Sequence, residues 1–85
     1  MFYVYTLYDT TKKTFYTGFT NDLKRRMQEH IIGKTRTTAK MEEKLLVYYE
    51  ACLSKKDAEA RERQLKTGFG RAYLKRRMEH YLAGL

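Results

Sequence analysis

A glutamate interrupts the apolar stripe of a predicted helix, and this feature constrains the fold more than any other. Along the helix predicted at residues 55–67, Ala58, Glu62, Leu65 and Phe69 recur at i, i+4, i+7 and i+11, the spacing of a face that packs on a core. An ionised carboxylate buried there without a partner would cost several kcal/mol, on the order of the usual desolvation penalty. We therefore expect an arginine or a metal ion beside Glu62, and either would make Glu62 a candidate site residue.

Length and composition limit the chain to one small domain. The 85 residues have room for one modest core, so we predict a single domain over residues 1–85. No apolar run approaches the 18 or so residues that a membrane helix needs, and no signal-peptide pattern opens the chain. The one cysteine, Cys52, has no partner for an internal disulfide. These features predict a cytoplasmic protein without a membrane partner.

The charge of the chain predicts a polyanion as its partner. The formal net charge is +8, and the cations are spread along the sequence rather than held in a tail. A folded domain of this charge attracts nucleic acid non-specifically. The alternative interpretation is a highly soluble surface. Membrane-surface binding is less favoured, because no helix pairs a strong basic face with an exposed aromatic one.

The hydrophobic pattern predicts the element order ββαβαα. The elements are strands at 2–8 and 14–19, a helix from Asp22 to about Gly33, a strand at 45–52, and helices at 55–67 and 71–82. The nearly continuous apolar run at 45–52 is expected to be covered on both faces. Gly68 and Gly70 are expected to interrupt the helical pattern. The fold class is therefore α/β of the α+β type: a three-stranded, mainly antiparallel sheet flanked by helices.

The first two strands bring two tyrosines together. If the hairpin turn centres on Thr10 and Thr11, Tyr5 lies opposite Tyr16 on one face of the sheet. Two tyrosines in such a position are commonly packing residues. Gly18 beside them favours a functional interpretation, since a glycine inside a strand often marks the close approach of a ligand or another backbone.

Arg26 and His30 form a second candidate pair. They lie one turn apart on the first helix and border the apolar stripe Leu23, Met27 and Ile31. An arginine offers a planar fork to phosphate oxygens, and a histidine can donate or relay a proton near neutral pH. Solvated side chains are the alternative interpretation, but a pair aimed at one point suits a scissile phosphate.

These motifs resemble the GIY-YIG nuclease domain. The matching strings are Tyr3-Val4-Tyr5, Tyr16-Thr17-Gly18 and the stretch from Phe19 to His30. They are similar in particular to a small stand-alone branch related to the N-terminal nuclease of the bacterial excision-repair incision subunit. Residues 58–66 resemble that branch's helix with the metal-binding glutamate. The chain departs from the pattern in having Tyr3 and Val4 where the first motif has glycine and isoleucine.

The resemblance implies a catalytic set and a mechanism. The catalytic residues implied are Tyr5, Tyr16, Arg26, His30 and Glu62, with Gly18 closing the second motif. Glu62 would bind one Mg²⁺ (or Mn²⁺) together with waters. The family's first-motif tyrosine, here Tyr5, is usually the general base, but a reference pKa near 10 makes tyrosine a poor base at pH 7. Tyr16 or His30 could instead position the water or relay the proton.

The function expected is that of a metal-dependent endonuclease that hydrolyses DNA with little sequence specificity, consistent with a place in DNA repair. Exposed cations would grip the backbone, namely Lys24, Arg25, Lys34, Arg36, Lys40, Arg63, Lys66 and Arg71. A homodimer or an accessory protein is possible. One alternative is a nucleic-acid binding module that does not cleave. Another is a protein-interaction domain in which Glu62 merely pairs with an arginine.

Overall fold

Three antiparallel strands form one sheet in the order β2-β1-β3, with the N-terminal strand at its centre. The structure, a computed structural model, describes residues 1–32 and 44–85. Its elements are β1 Phe2–Asp9, β2 Thr14–Thr20, α1 Leu23–Ile31, β3 Lys44–Cys52, α2 Lys55–Leu65, α3 Gly68–Arg77 and α4 Glu79–Ala83. The predicted α+β class and three-stranded sheet are confirmed. The last predicted helix divides at Met78 into α3 and α4, so the observed order is ββαβααα.

No helix within residues 1–32 and 44–85 is long and apolar enough to cross a membrane.

The most buried strand is β1 rather than β3. Four successive residues of β1, from Val4 to Leu7, are at most 2% exposed, because β1 pairs with both other strands. The strand β3 is at an edge of the sheet, and its residue Tyr49 is 56% exposed. The prediction that residues 45–52 are covered on both faces is therefore wrong. An apolar run by itself does not distinguish a central strand from an edge strand.

The hairpin turn is held by Asp9. Its buried carboxylate accepts hydrogen bonds from the backbone N–H groups of Thr11 at 2.9 Å and Lys12 at 3.2 Å. This is the local side-chain bonding that favours aspartate in turns. Lys13 then takes a left-handed conformation with a φ of 57°, and Thr14 returns to pair with Asp9.

This turn shifts the hairpin register from the predicted one. Tyr5 pairs with Gly18, and Tyr16 pairs with Leu7. The prediction that Tyr5 lies directly opposite Tyr16 is therefore wrong by two residues. Because side chains alternate with a period of two, a two-residue shift leaves both tyrosines on the same face of the sheet.

The opposite face of the sheet carries the core. The buried cluster joins Val4 of β1 to Ala58 and Leu65 of α2, and to Leu74 and Met78. Burial of such side chains contributes about 1.5 to 3 kcal/mol each for the larger ones.

Phe69 of the predicted apolar stripe and Tyr81 of the helix predicted at 71–82 both lie outside this core. Phe69 is 92% exposed, because α2 ends at Leu65 and Phe69 belongs to α3, so the helical spacing of the stripe does not continue to it. Tyr81 of α4 is also exposed, at 47%.

A half-buried ion pair fixes α2 against β3. Arg61 donates from Nε to Oε1 of Glu50 and from Nη2 to Oε2, both at 2.9 Å. The hydroxyl of Tyr48 donates to the same carboxylate at 2.7 Å, and the Arg61 guanidinium lies 4.8 Å from the ring centre of Tyr73. Burial alone would raise the pKa of Glu50, but the hydrogen bonds from Arg61 and Tyr48 hold it below its usual value.

The expectation that Gly68 and Gly70 interrupt the helical pattern is wrong. Both belong to the first turn of α3, where the hydroxyl of Thr67 caps the helix by accepting from the Gly70 N–H at 3.1 Å. Gly70 is needed for packing: a Cβ there would overlap the carbonyl oxygen of Gln64 and lie 2.5 Å from the Cα of Leu65. A Cβ at Gly68 would meet no atom within 4 Å.

These two glycines provide a matched test of the α2–α3 contact. We expect Gly70→Ala to lower the free energy of unfolding by about 1 to 3 kcal/mol, because backbone cannot move aside as a flexible side chain can. Gly68→Ala, which adds the same methyl group two residues away, should be neutral or stabilising by up to about 1 kcal/mol. Urea unfolding of both variants measures the difference. Equal stabilities would contradict the close packing at Gly70.

Candidate functional site

Tyr5 lies at the centre of the sheet, with its ring over Gly18. The residue is fully buried, and a Cβ at Gly18 would lie 2.5 Å from the Tyr5 hydroxyl oxygen and 2.6 Å from Cζ. The close approach at Gly18 is therefore made by the side chain of Tyr5 rather than by the ligand or second backbone that the sequence led us to expect. The Tyr16 ring lies on the same face, with its centre 6.4 Å from that of Tyr5.

The helix α1 places His30 against both tyrosines. Its N-cap, Asp22, accepts a hydrogen bond from the Arg25 N–H at 3.1 Å. At the other end, His30 is 1% exposed, and its Nε2 is 2.7 Å from the Tyr5 hydroxyl. The imidazole centre lies 5.5 Å from the ring centre of Tyr5 and 5.4 Å from that of Tyr16.

His30 is thus the buried residue of α1 and does not border the buried face as predicted. Ile31, expected in the apolar stripe, is 72% exposed, while Leu23 and Met27 are half-buried. His30 takes the buried position instead of Ile31 because its ring nitrogen forms a hydrogen bond with the buried hydroxyl of Tyr5. An isoleucine could not provide this bond.

Arg26 closes the group on its solvent side. Its Nε donates to the Tyr5 hydroxyl oxygen at 3.3 Å, and its Nη1 pairs with Oε1 of Glu29 at 3.2 Å. The side chain is 36% exposed. It lines a groove of about 410 Å³ together with Phe19 of β2 and Lys55 of α2. We call this the Arg26 groove.

These contacts form a directed hydrogen-bond chain. Arg26 can only donate, so the Tyr5 oxygen accepts from it. In the His30 tautomer that leaves Nε2 without a proton, the Tyr5 O–H donates to Nε2. Burial raises the pKa of Tyr5 to about 12, although the hydrogen bond from Arg26 opposes this shift. Burial, reinforced by the charges of Arg26 and Lys44, lowers the pKa of His30 below its usual 6.5. The chain at pH 7 therefore consists of a cationic arginine, a neutral phenol and a neutral imidazole.

Glu62 lies on a different element from this group. Its side chain is 23% exposed, and its carboxylate pairs with Lys66 at 3.0 Å. The cation beside it is therefore a lysine and not the arginine that was one of the two expected alternatives. Glu62 is seven residues from Lys55 along α2, a spacing that puts both on one flank of the helix. Lys55 lines the Arg26 groove, so this flank of α2 reaches the groove at the N-terminus of the helix, and Glu62 itself is not among the residues that line it.

The residues of this flank suit a magnesium-like ion better than a zinc-like one. No group of three or more histidine, cysteine or acidic side chains converges within the described part of the chain. Glu62 offers a single hard carboxylate that is partly open to solvent, and its lysine partner is 53% exposed. Mg²⁺ commonly binds through one or two carboxylates, with water and substrate phosphate as its other ligands. A closed four-ligand zinc site needs more donors than this flank has.

The predicted backbone-binding cations separate into several surfaces. Arg25 lines the Arg26 groove, whereas Arg71 lines a different groove beside the hairpin turn. Lys24 lies beside Leu23 in a third depression, and Arg63 is exposed on α2. The remaining predicted contacts are Lys66, which pairs with Glu62, and Lys34, Arg36 and Lys40, which lie outside the described residues.

The family of the chain follows from its match to a known domain. The model of the GIY-YIG catalytic domain matches residues 1–77. The chain belongs to the GIY-YIG family. This confirms the family predicted from the two tyrosine motifs and the α1 sequence.

The chain is also similar to a protein of solved structure, the UPF0213 protein BH0048 from Bacillus halodurans. The two are 32% identical, the match covers 99% of this chain and 84% of that one, and the TM-score is 0.48. No curated protein matches the chain.

The GIY-YIG domain is an endonuclease domain that acts on nucleic acid and generally uses a divalent metal.

Three residues at the candidate site of this GIY-YIG domain were not predicted from the sequence. Glu29 holds Arg26 from one turn away, Lys44 donates to the backbone carbonyl of His30, and Lys55 borders the Arg26 groove. The i, i+3 spacing of Arg26 and Glu29 was a readable signal. The contacts of Lys44 and Lys55 join elements distant in sequence and had no local signal.

Gly18→Ala tests the contact beneath Tyr5. We expect the added methyl group to push the Tyr5 ring from its place against His30, and to lower the free energy of unfolding by about 1 to 3 kcal/mol. A double-mutant cycle with Tyr5→Leu, measured by urea unfolding, provides the control, since the shorter side chain leaves room for the methyl group. Additive effects would contradict the contact between Gly18 and Tyr5.

The raised pKa of Tyr5 predicts a loss of stability at high pH. The folded state keeps the phenol protonated between the reference value of 10.0 and about 12, so its contribution is fully present below pH 10 and is lost as the pH rises to about 12. The loss attributable to Tyr5 should be about 2 to 3 kcal/mol. Unfolding of the native chain and of Tyr5→Phe across this range isolates it, and parallel pH profiles would contradict the prediction.

Proposed function

We propose that this GIY-YIG domain is a metal-dependent endonuclease that hydrolyses phosphodiester bonds in DNA. The observation that carries the proposal is the hydrogen-bond chain Arg26–Tyr5–His30, which ends in a partly exposed arginine side chain at the Arg26 groove. A chain of this kind joins a phosphate-binding group to a proton acceptor. Packing alone would not require a guanidinium at its solvent end.

Arg26 is the proposed phosphate ligand. Its Nη1 is shared with Glu29 in a pair that is 36% and 29% exposed, and surface pairs of this kind contribute little stability. A phosphate oxygen can therefore compete with Glu29 for the guanidinium at small cost. The bound arginine would then stabilise the negative charge that develops on the phosphoryl oxygens as the nucleophile attacks.

Tyr5 and His30 are the proposed proton path. When Arg26 turns toward a phosphate, the Tyr5 oxygen loses one hydrogen bond and can accept one from the attacking water. The proton of this water passes to the Tyr5 oxygen as the phenol proton passes to Nε2 of His30. Because burial raises the pKa of Tyr5 to about 12, a free tyrosinate is too rare at pH 7 to act alone. Neutral His30 makes the transfer possible without one.

Glu62 is the proposed metal ligand, with waters and the scissile phosphate completing the coordination. A bound Mg²⁺ or Mn²⁺ would supply Lewis-acid stabilisation of the phosphate and the leaving oxygen. The ion pair of Glu62 with the half-exposed Lys66 leaves the carboxylate partly open to solvent. Tyr16 is proposed to orient the imidazole of His30 through its ring contact.

The substrate grip is proposed to be electrostatic rather than sequence-specific. Within residues 1–32 and 44–85, the Arg26 groove presents Arg25, Arg26 and Lys55 against one carboxylate, Glu29. This arrangement suits phosphates rather than base edges. Affinity should therefore fall steeply with salt. A nuclease that recognises the DNA backbone would suit DNA repair. It would act alone, as a homodimer or with an accessory protein.

A cleavage assay on supercoiled plasmid and on branched and single-stranded oligonucleotides tests the proposal at low salt with Mg²⁺, Mn²⁺ or EDTA. We expect metal-dependent nicking that falls at least about 100-fold in Arg26→Lys and in Glu62→Gln. Glu59→Gln, which makes the same change one turn earlier on α2, should retain most of the activity. Arg26→Lys keeps the charge but removes the planar fork.

DNA binding measured on the same proteins separates the alternatives. Binding without metal-dependent cutting by the native chain would reject the nuclease and favour a non-catalytic binding module. If Glu59→Gln loses metal-dependent nicking and Glu62→Gln keeps it, the metal ligand would be Glu59 instead of Glu62.

A further inference from the structure

A second groove lies on the other face of the sheet from Tyr5. It has a volume of about 950 Å³ and runs between the hairpin turn and the helices α3 and α4. Its floor is apolar and includes Tyr8, Phe15 and Leu82. The rings of Tyr8 and Phe15, which face each other across β1 and β2, have their centres 4.8 Å apart at a tilt of 40°. We call this the Tyr8 groove.

The rim of the Tyr8 groove is strongly cationic. Lys13 approaches from the hairpin turn, and Arg71, Lys75 and Arg76 approach from α3. Among the residues that the structure describes, Glu79 is the one carboxylate of the lining. All four cations are exposed. None of them belongs to the hydrogen-bond chain around Tyr5. The folded chain therefore concentrates positive charge around an aromatic floor, although these residues are far apart in sequence.

We propose that the Tyr8 groove binds single-stranded nucleic acid, with phosphates on the cationic rim and base faces on the Tyr8–Phe15 floor. Single strands expose both charged phosphates and apolar base faces, and cations beside aromatic rings are what proteins use to bind them without sequence preference. A duplex hides its base faces in the stack, so it would use the rim but not the floor. An acidic peptide would likewise leave the aromatic floor without a specific partner.

The Tyr8 groove is separate from the proposed cleavage site. Phe15 and Phe19 line the Tyr8 groove and the Arg26 groove respectively. They are four residues apart on β2, which corresponds to about 13 Å along a strand. The second surface can thus hold an unpaired strand while duplex or junction occupies the first, and the binding inferred here does not require that the chain cleaves anything.

Fluorescence anisotropy in EDTA tests this inference with a labelled 12-nucleotide oligothymidine and an abasic backbone of the same length. We expect the native chain to bind the oligothymidine about tenfold more tightly than the abasic strand, a ratio within the range expected for stacking of one base. Tyr8→Leu should bring the two affinities close together with little change in salt dependence, because it removes the ring but no charge.

Two charge-matched double variants test the rim. Lys75→Gln with Arg76→Gln should weaken oligothymidine binding about tenfold and reduce the slope of log affinity against log salt by about 1.4, the value for two phosphate contacts on a single strand. Lys56→Gln with Arg77→Gln removes the same charge elsewhere and should weaken binding far less. All of these side chains are exposed, and thermal unfolding confirms that each variant is folded.

The outcomes separate this inference from the nuclease proposal. If both double variants lose the same amount of oligothymidine affinity, the proposed groove would be overturned, and attraction by net charge alone would explain the binding. Equal affinity of the native chain for oligothymidine and the abasic strand would overturn the role of the aromatic floor. Tighter binding of polyglutamate than of oligothymidine would assign the groove to an acidic protein. Because the binding assay contains EDTA, its result does not depend on cleavage, and a failure of the native chain to nick DNA with Mg²⁺ or Mn²⁺ would count against the nuclease proposal only.

Discussion

The buried phenol of Tyr5 is the constraint on which the candidate site depends. A tyrosine hydroxyl at the centre of a sheet costs about 1 to 3 kcal/mol if it is left without a hydrogen-bond partner. Two side chains of α1 remove that cost, since His30 forms a hydrogen bond with the hydroxyl and Arg26 donates a second one to its oxygen. Gly18 makes room for the ring from below. The position of α1 on the sheet is therefore tied to the chemistry of one oxygen atom.

The two faces of the sheet make different kinds of contact. On one face Tyr5 and Tyr16 contact α1, and a hydrogen bond joins Tyr5 to His30. On the other face Val4 packs against Ala58 and Leu65 in the apolar core. The helix α2 belongs to the apolar side but carries Glu62 at its border. The ion pair between Arg61 and Glu50 sets the rotation of α2 against β3, and the rotation of the helix decides which way its neighbour Glu62 faces.

Local patterns predicted much of this arrangement. The tyrosine pair was assigned to the correct face despite a wrong register, because a shift of two residues preserves the alternation of a strand. Arg26 and His30 were correctly grouped, because residues one turn apart share a helix face. Phe69 was misplaced, since the periodicity that links it to Leu65 holds only if one helix runs through both residues, and here α2 ends between them.

The sequence by itself determined the family, the element types and the residues that form the Arg26–Tyr5–His30 group, because each of these depends on short-range periodicity or on an ordered set of motifs. Only the tertiary structure decided that β1 is the central strand, that His30 is buried, and that the cations of the hairpin turn and α3 surround one aromatic floor. These outcomes depend on which strand pairs with which and on how closely helices approach. Such contacts join residues far apart in the chain, where no local pattern carries the information.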